Sequence, residues 1–392
     1  MFAVLERARK LPALAIALLT TLVLASCGAT MSNTGGPRID TSKPVPVALL
    51  VPGGSSSATD NTLAASLENA ARLAMSELNG VTIDLRVYNT AGSAGTASQQ
   101  AQTAVADGAK IILGPVYAEN AAAAGVAARQ RGVNVLAFSN NPSVAGGNVF
   151  ILGNTFQNTA NRLVSYAARQ NRGNIMVVYG ESPAEVLARD AILRAISSTP
   201  GASQAGSTGF EVSQNGVVQA LPQISSTIKS SGASSVFLTS GTDGALPFVT
   251  SLLPENGVRP GDVQFIGIQR WDIPANALTL PGVQGGWFAL PDPDLSVAFT
   301  RRYQAAYGTS PHPIAGLAYD GIAAIGALVK AGNADALSGA ALTQSQGFVG
   351  VNGVFRLRGD GTNERGLAVA QIQNQQVVVI DPAPKSFSGV GF

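Results

Sequence analysis

The chain has 392 residues, is 46% hydrophobic and only 12% charged, and carries a formal net charge of +2, one cysteine and one histidine. Residues 1–26 hold Arg7, Arg9 and Lys10 against Glu6, so the rest of the chain is close to neutral. That excludes the basic face on which nucleic-acid binding depends, and a single cysteine excludes an internal disulfide. The length exceeds what one hydrophobic core usually serves, which predicts two lobes stabilised by buried apolar area.

The chain opens on a basic segment and an almost uncharged apolar run over 11–25, the layout of a secretory signal over 1–26. The run is about fifteen residues, short of the about twenty that span a bilayer. It ends in Leu24-Ala25-Ser26-Cys27, small residues ahead of a cysteine, which resembles the lipobox of bacterial lipoproteins. The resemblance implies cleavage before Cys27, a diacylglycerol on its thiol and a soluble mature chain tethered to a membrane. Gly28 follows the cysteine in place of an aspartate, which under that family's sorting rule implies the outer membrane of a two-membrane cell. Residues 27–43 then read as a lipidated, flexible linker rich in Gly, Ser, Thr and Asn.

Beyond the linker, apolar runs alternate with helical spacing. A strand is predicted over 45–51, ending at Pro52-Gly53-Gly54-Ser55, and a helix over 61–78 through Leu63, Leu67, Ala70, Ala71, Ala74 and Leu78. Alternation of Val81, Ile83, Leu85 and Val87 predicts a strand over 81–88. A helix over 96–106, a strand over 111–113, an alanine-rich helix over 118–131 and a strand over 133–138 follow. The pattern restarts after Phe156, with helices over 159–170, 184–196, 217–229, 245–253, 295–307 and 314–331, and strands over 175–179, 236–239, 264–268 and 286–290. Strands over 353–357 and 367–379 are joined through Gly359-Asp360-Gly361, a hairpin signal. Short apolar runs between helical patterns predict parallel strands with right-handed crossover helices, here in two successive α/β units.

Several stretches carry a family likeness. They are 46–52 before the first small-residue loop, Ile111-Ile112-Leu113-Gly114-Pro115-Val116, and Val135-Leu136-Ala137-Phe138-Ser139-Asn140-Asn141-Pro142. The strongest runs from Phe299 through Arg301-Arg302-Tyr303, Tyr307-Gly308 and Pro311 to Ala318-Tyr319-Asp320-Gly321, with Gly350-Val351-Asn352-Gly353-Val354-Phe355-Arg356 and Asp360-Gly361 closing the chain. In order and spacing over roughly 44–380, the chain resembles the type I periplasmic binding proteins, in particular the leucine/isoleucine/valine-binding group. The resemblance implies an α/β fold of two lobes, each a mostly parallel sheet flanked by helices, joined by a three-crossing hinge with ligand in the cleft. On that pattern lobe 1 is 44–156 with 292–347, and lobe 2 is 157–291 with 348–392.

Open parallel sheets bind ligands beyond the carboxyl ends of their strands, which points to the loops. In lobe 1 the run Gly53 to Ser57, with Ser55 at its centre, either lets backbone N–H groups approach an anion or hydroxyl or is a plain turn. Tyr117 either stacks on a ligand or covers the hinge. The resemblance implies a hydroxyl contact at Ser139, against a turn or capping role, and a hydroxyl residue where Ala118 stands. In lobe 2, Tyr179 precedes Gly180-Glu181-Ser182-Pro183, where Ser182 suits a helix N-cap. Thr242 and Asp243 follow the next strand. The resemblance also implies an acid near Gln269 to pair with a ligand ammonium, and the nearest acid is Asp272. Trp271 is either an apolar wall or packing. A buried ammonium needs a charged partner, so these mainly neutral groups point away from an ordinary amino acid.

One histidine, His312 between Pro311 and Pro313, builds neither a nucleophile–histidine pair nor a histidine metal cluster. No phosphate-loop lysine motif follows any strand, and Gly359-Asp360-Gly361 lacks the further acids of a calcium loop. The chain therefore reads as a non-enzyme needing neither metal nor cofactor. Two functions remain. One is a solute-binding lipoprotein that holds a small polar ligand (an amino acid or related solute) and delivers it to an ABC transporter permease. The other follows from a resemblance to penicillin-binding-protein activator lipoproteins, which implies a cell-wall synthase as partner.

Overall fold

A computed structural model describes residues 36–387; the signal segment and Cys27 lie outside the described residues. Residues 36–43 are part of the fold rather than the end of a free linker: Ile39 is buried in the first core and its N–H donates to the Ala334 carbonyl at 2.8 Å.

The first lobe contains β1 (Val45–Val51), α1 (Ala58–Ser76), β2 (Ile83–Asn89), α2 (Ala94–Ala106), β3 (Ile111–Leu113), α3 (Ala118–Arg129), β4 (Asn134–Ala137) and β5 (Val149–Ile151). Its strands are parallel in the order β2-β1-β3-β4-β5. β1 is an interior strand covered on both faces, which is why it reads as a nearly unbroken apolar run. One face packs on Leu63, Leu67 and Ala70 of α1. The other packs on the alanines of α2 and α3, where Gly125 lets the helix approach: a Cβ there would stand 2.3 Å from a Val149 methyl.

The second lobe repeats the plan with α4 (Phe156–Arg169), β6 (Asn174–Gly180), α5 (Pro183–Ser198), β7 (Ser203–Phe210), α6 (Gln214–Ser231), β8 (Ser235–Leu238), α7 (Leu246–Glu255), β9 (Gln264–Gly267) and β10 (Trp287–Leu290). The parallel order β7-β6-β8-β9-β10 is that of the first sheet. The chain then returns to the first lobe as α8 (Pro293–Tyr307), α9 (Gly316–Lys330) and α10 (Gly339–Leu342), and forms a small antiparallel sheet of β11 (Phe348–Gly350), β12 (Gly353–Leu357) and β13 (Asn363–Arg365). It ends in a hairpin, β14 (Ala368–Gln373) and β15 (Gln376–Asp381), that extends the second sheet antiparallel to β10.

Two details differ from the sequence reading. Phe348, Phe355 and Leu357 are buried in the core of β1 and α1, so only the part from Ala368 onward pairs with the second sheet, not all of 348–392. The segment expected as one strand over 367–379 is a hairpin, turned by Asn374 and Gln375 at φ of 51° and 63°.

Three crossings join the lobes, at 152–155, 291–292 and 366–367, and hydrogen bonds tie the first to the strand that leads into the third. Asn363 donates to the carbonyls of Ile151 and Gly153 at 2.7 and 2.9 Å, and its Oδ1 accepts from Asn158. Arg365 donates to the Leu152 carbonyl at 2.8 Å. Asp320 of α9, fully buried, accepts from Val351 N–H, Asn352 and Arg365 at 2.8, 3.0 and 3.1 Å. A buried ion pair needs such added hydrogen bonds to offset its desolvation.

Candidate functional site

In both sheets the strand order reverses beside the first strand of the lobe, so the crevice lies at the carboxyl ends of β1 and β3, and of β6 and β8. The predicted residues distribute unevenly over these crevices.

On the first lobe, Ser55 makes a turn: its hydroxyl accepts from Ser57 N–H and its carbonyl from the Asn61 amide, which also accepts from Gly54 N–H at 2.9 Å. Tyr117 is 40% exposed and its hydroxyl donates to Asp60 in the first turn of α1. That hydrogen bond and then burial push the Tyr117 hydroxyl pKa up, so it stays a neutral donor. Ser139 is buried and accepts from Asn141 N–H at 3.1 Å, while Asn141 caps the following turn through Ser143 N–H.

The second lobe carries a cavity of about 410 Å³. Asn154 and Thr155 of the first crossing and Phe156 at the start of α4 form one wall; Thr242, Asp243, Gln269 and Arg270 face it from the loops after β8 and β9, with Ile268, Ile273 and Pro274 as apolar floor. Thr242 and Gln269, expected from sequence, meet here. Thr242 donates to the Ile273 carbonyl at 2.6 Å and Gln269 Nε2 to the Thr239 carbonyl at 3.0 Å, which fixes both loops. Gly241 keeps this corner open: a Cβ there would lie 2.6 Å from Gln269 Oε1 and 2.9 Å from Asp243 Oδ1.

Asp272, expected as the ammonium partner, is occupied. Arg270 donates to both its oxygens, at 2.6 and 2.5 Å, in a bidentate pair. Asp272 does not line the cavity, and Arg270 reaches it already paired. Trp271 is fully buried packing, seated over Gly267 and Gly286, where a Cβ would come within 2.2 Å of the indole. Tyr179 is not at the cavity either; its ring packs on Gly209 of β7 with Arg189 4.7 Å from the ring centre. Ser182 is the N-cap of α5, its hydroxyl accepting from Glu185 N–H at 3.4 Å.

Asn154, Thr155 and Phe156 escaped the sequence reading because β5, the strand before them, is three residues long. Thr155 left a signal, since it caps α4 by accepting from Asn158 N–H. A second cavity, about 250 Å³, runs between Asn140 to Pro142 of the first lobe and Phe156, Ala184 and Leu187 of the second. The lobes thus face each other beside the first crossing. Among the described residues no three His, Cys, Asp or Glu side chains converge as a metal site, and no helix is long and apolar enough to cross a membrane.

Solved structures share this architecture. A protein assigned as a branched-chain amino acid ABC transporter in Rhodospirillum rubrum superposes with a TM-score of 0.73 at 16% identity, covering 86% of this chain and 100% of its own. A branched-chain amino acid ABC transporter periplasmic ligand-binding protein of Burkholderia xenovorans gives 0.67 at 18%, covering 86% and 96%. A solute-binding protein of R. palustris in complex with benzoate gives 0.57 at 16%, covering 89% and 99%. These likenesses establish the two-lobed type I binding-protein fold. No curated protein matches the chain at a significant level. The family model for periplasmic binding proteins matches residues 44–376, nearly the whole folded part, and the chain belongs to the periplasmic binding protein family.

Proposed function

We propose that the protein is an extracytoplasmic solute-binding lipoprotein, anchored through Cys27, that holds a small, polar, weakly charged solute between its lobes and hands it to an ABC transporter permease. The family supports the binding role, and the ligand class rests on one observation. The acid nearest to Gln269 in sequence, Asp272, is paired with Arg270 and lies outside the cavity lining. The remaining cavity groups, Asn154, Thr155, Thr242 and Gln269, are neutral donors and acceptors, with Asp243 the one unpaired acid named in the lining. A ligand ammonium there has only Asp243 to meet it and a ligand carboxylate only Arg270, already paired with Asp272, so a polar, weakly charged solute suits this wall better than a zwitterion, whose burial needs both ions paired.

Calorimetry on the purified protein tests this. Leucine, isoleucine and valine are expected to bind more weakly than millimolar, an affinity of less than about 4 kcal/mol. Micromolar leucine binding that disappears in Asp272→Ala would overturn the ligand class and restore an amino-acid binder. If no small solute binds and the protein instead retains a cell-wall synthase in a pull-down, the activator role replaces transport.

A further inference from the structure

The second lobe's switch-point crevice already contains a carboxylate. It lies at the carboxyl ends of β6 and β8, beside the N-terminus of α5, where backbone N–H groups and the helix dipole favour an anion. The occupant is Glu185. Its Oε2 accepts from Gly180 N–H at 2.9 Å, Thr239 Oγ1 at 2.6 Å and Ser240 Oγ at 2.8 Å, and the residue is only 8% exposed. Gly180 makes the room, since a Cβ there would come within 2.6 Å of the carboxyl atoms.

Helix capping alone does not account for this. In a capping box the third residue's carboxylate turns back to the N-cap N–H. Ser182 performs its half of that exchange, but Glu185 bridges to the end of β6 and to two hydroxyls beyond β8. The contact reaches the cavity. Thr239 gives its hydroxyl proton to Glu185 and its carbonyl to Gln269 Nε2, and Ser240 leads directly into Gly241, Thr242 and Asp243.

We propose that Glu185 is a resident anion of the cleft. It fills the second lobe's anion cradle, consumes the Thr239 and Ser240 hydroxyl donors, and so positions Gln269 and the 241–243 loop while refusing a ligand carboxylate at this point. Glu185 is thus a specificity-determining and positioning residue, and it deepens the reading of the cleft as a site for an uncharged solute, on which it rests.

The test empties the cradle. Glu185→Ala leaves both hydroxyls without their acceptor and Gly180 N–H with only Thr239 Oγ1, at 3.2 Å, and acetate is the probe. The variant should melt below the native protein. Acetate at about ten times its dissociation constant should raise the variant's folded-to-unfolded ratio about elevenfold, a rise in Tm of about 2 °C. Chloride at the same ionic strength should not do so, and the native protein should not respond. Glu185→Gln, whose amide fills the space, should also be indifferent to acetate. Equal acetate responses in native protein and Glu185→Ala, or none in either, overturn the proposal. If Glu185→Ala does not fold in chloride, recovery of folding in acetate supports the cradle and failure in both salts overturns it. No solute is needed for this readout, so its failure is distinguishable from failure of the calorimetry that tests the ligand class.

Discussion

Replacing Asp320 by alanine should destabilise the protein more than almost any other single change. Asp320 accepts three hydrogen bonds, from Val351 N–H, Asn352 and Arg365. The Asp320 and Arg365 side chains are 0% and 2% exposed. Removing the carboxylate leaves a buried guanidinium that keeps the Leu152 carbonyl and the face of Phe355, 4.9 Å from its centre, while its Nη2 already lacks a partner. An uncompensated buried charge of this kind costs about 3–5 kcal/mol, a large share of the about 5–15 kcal/mol that a folded protein has. With an m-value of about 3 kcal/mol/M the urea midpoint should fall by about 1–1.7 M at unchanged slope. The double variant Asp320→Asn with Arg365→Met removes both charges and should cost less than the sum of the two single changes, since their effects share one contact. A midpoint shift in Asp320→Ala below about 0.3 M, or strict additivity in the double variant, would refute the reasoning.

The same residues explain what was legible in the sequence. The 299–321 run that carried the family likeness is packing and hinge chemistry. Phe299 meets Tyr303 and Tyr319 edge-on, Tyr319 and Arg302 both bond Glu77, the C-cap of α1, and Asp320 anchors Val351 and Arg365. Gly350 is required because a Cβ there would stand 2.0 Å from Asp320 Oδ1. None of these residues lines the second-lobe cavity at Thr242 and Gln269, so the likeness informs the fold far better than the ligand.

Buried parallel strands such as β1 announce themselves because both faces are covered and every residue is apolar. β7 did not: Ser203–Phe210 lies at a sheet edge with small and polar residues, and its pairing to β6 supplies what its side chains do not. Thr242 and Gln269 were found because they follow recognisable strands. The Arg270–Asp272 pair was not, because both residues lie in one loop and only the loop's conformation brings the guanidinium onto the carboxylate. Glu185 was hidden for a related reason: its position in the first turn of α5 reads as a helix start, and the diversion to Thr239 and Ser240 depends on the packing of β6 against β8.

Three further outcomes are expected. Cys27→Ser should release the protein into the soluble fraction or stall its processing; unchanged membrane retention and mass would count against the anchor. Gly267→Ala presses a methyl into the Trp271 indole and should cost about 1–3 kcal/mol as overpacking; a melting temperature within error of the native one would show that Trp271 moves freely. The last concerns pH and His312. Burial lowers its pKa below the ordinary 6.5, and its Nδ1 accepts from Ile314 N–H at 3.3 Å while the His312 backbone N–H donates to the Ser66 hydroxyl at 2.8 Å. Protonation would turn Nδ1 into a donor facing another donor. The folded state therefore binds this proton less readily than the unfolded chain, so the contribution is fully present above pH 6.5 and is lost as pH falls through the lower folded value. His312→Asn, whose side-chain oxygen can still accept, should flatten the stability-against-pH curve just below pH 6.5 while leaving the carboxylate-driven loss at lower pH in place. A native slope of the opposite sign in that window, or a slope unchanged in His312→Asn, would show that the imidazole is not held neutral by its surroundings.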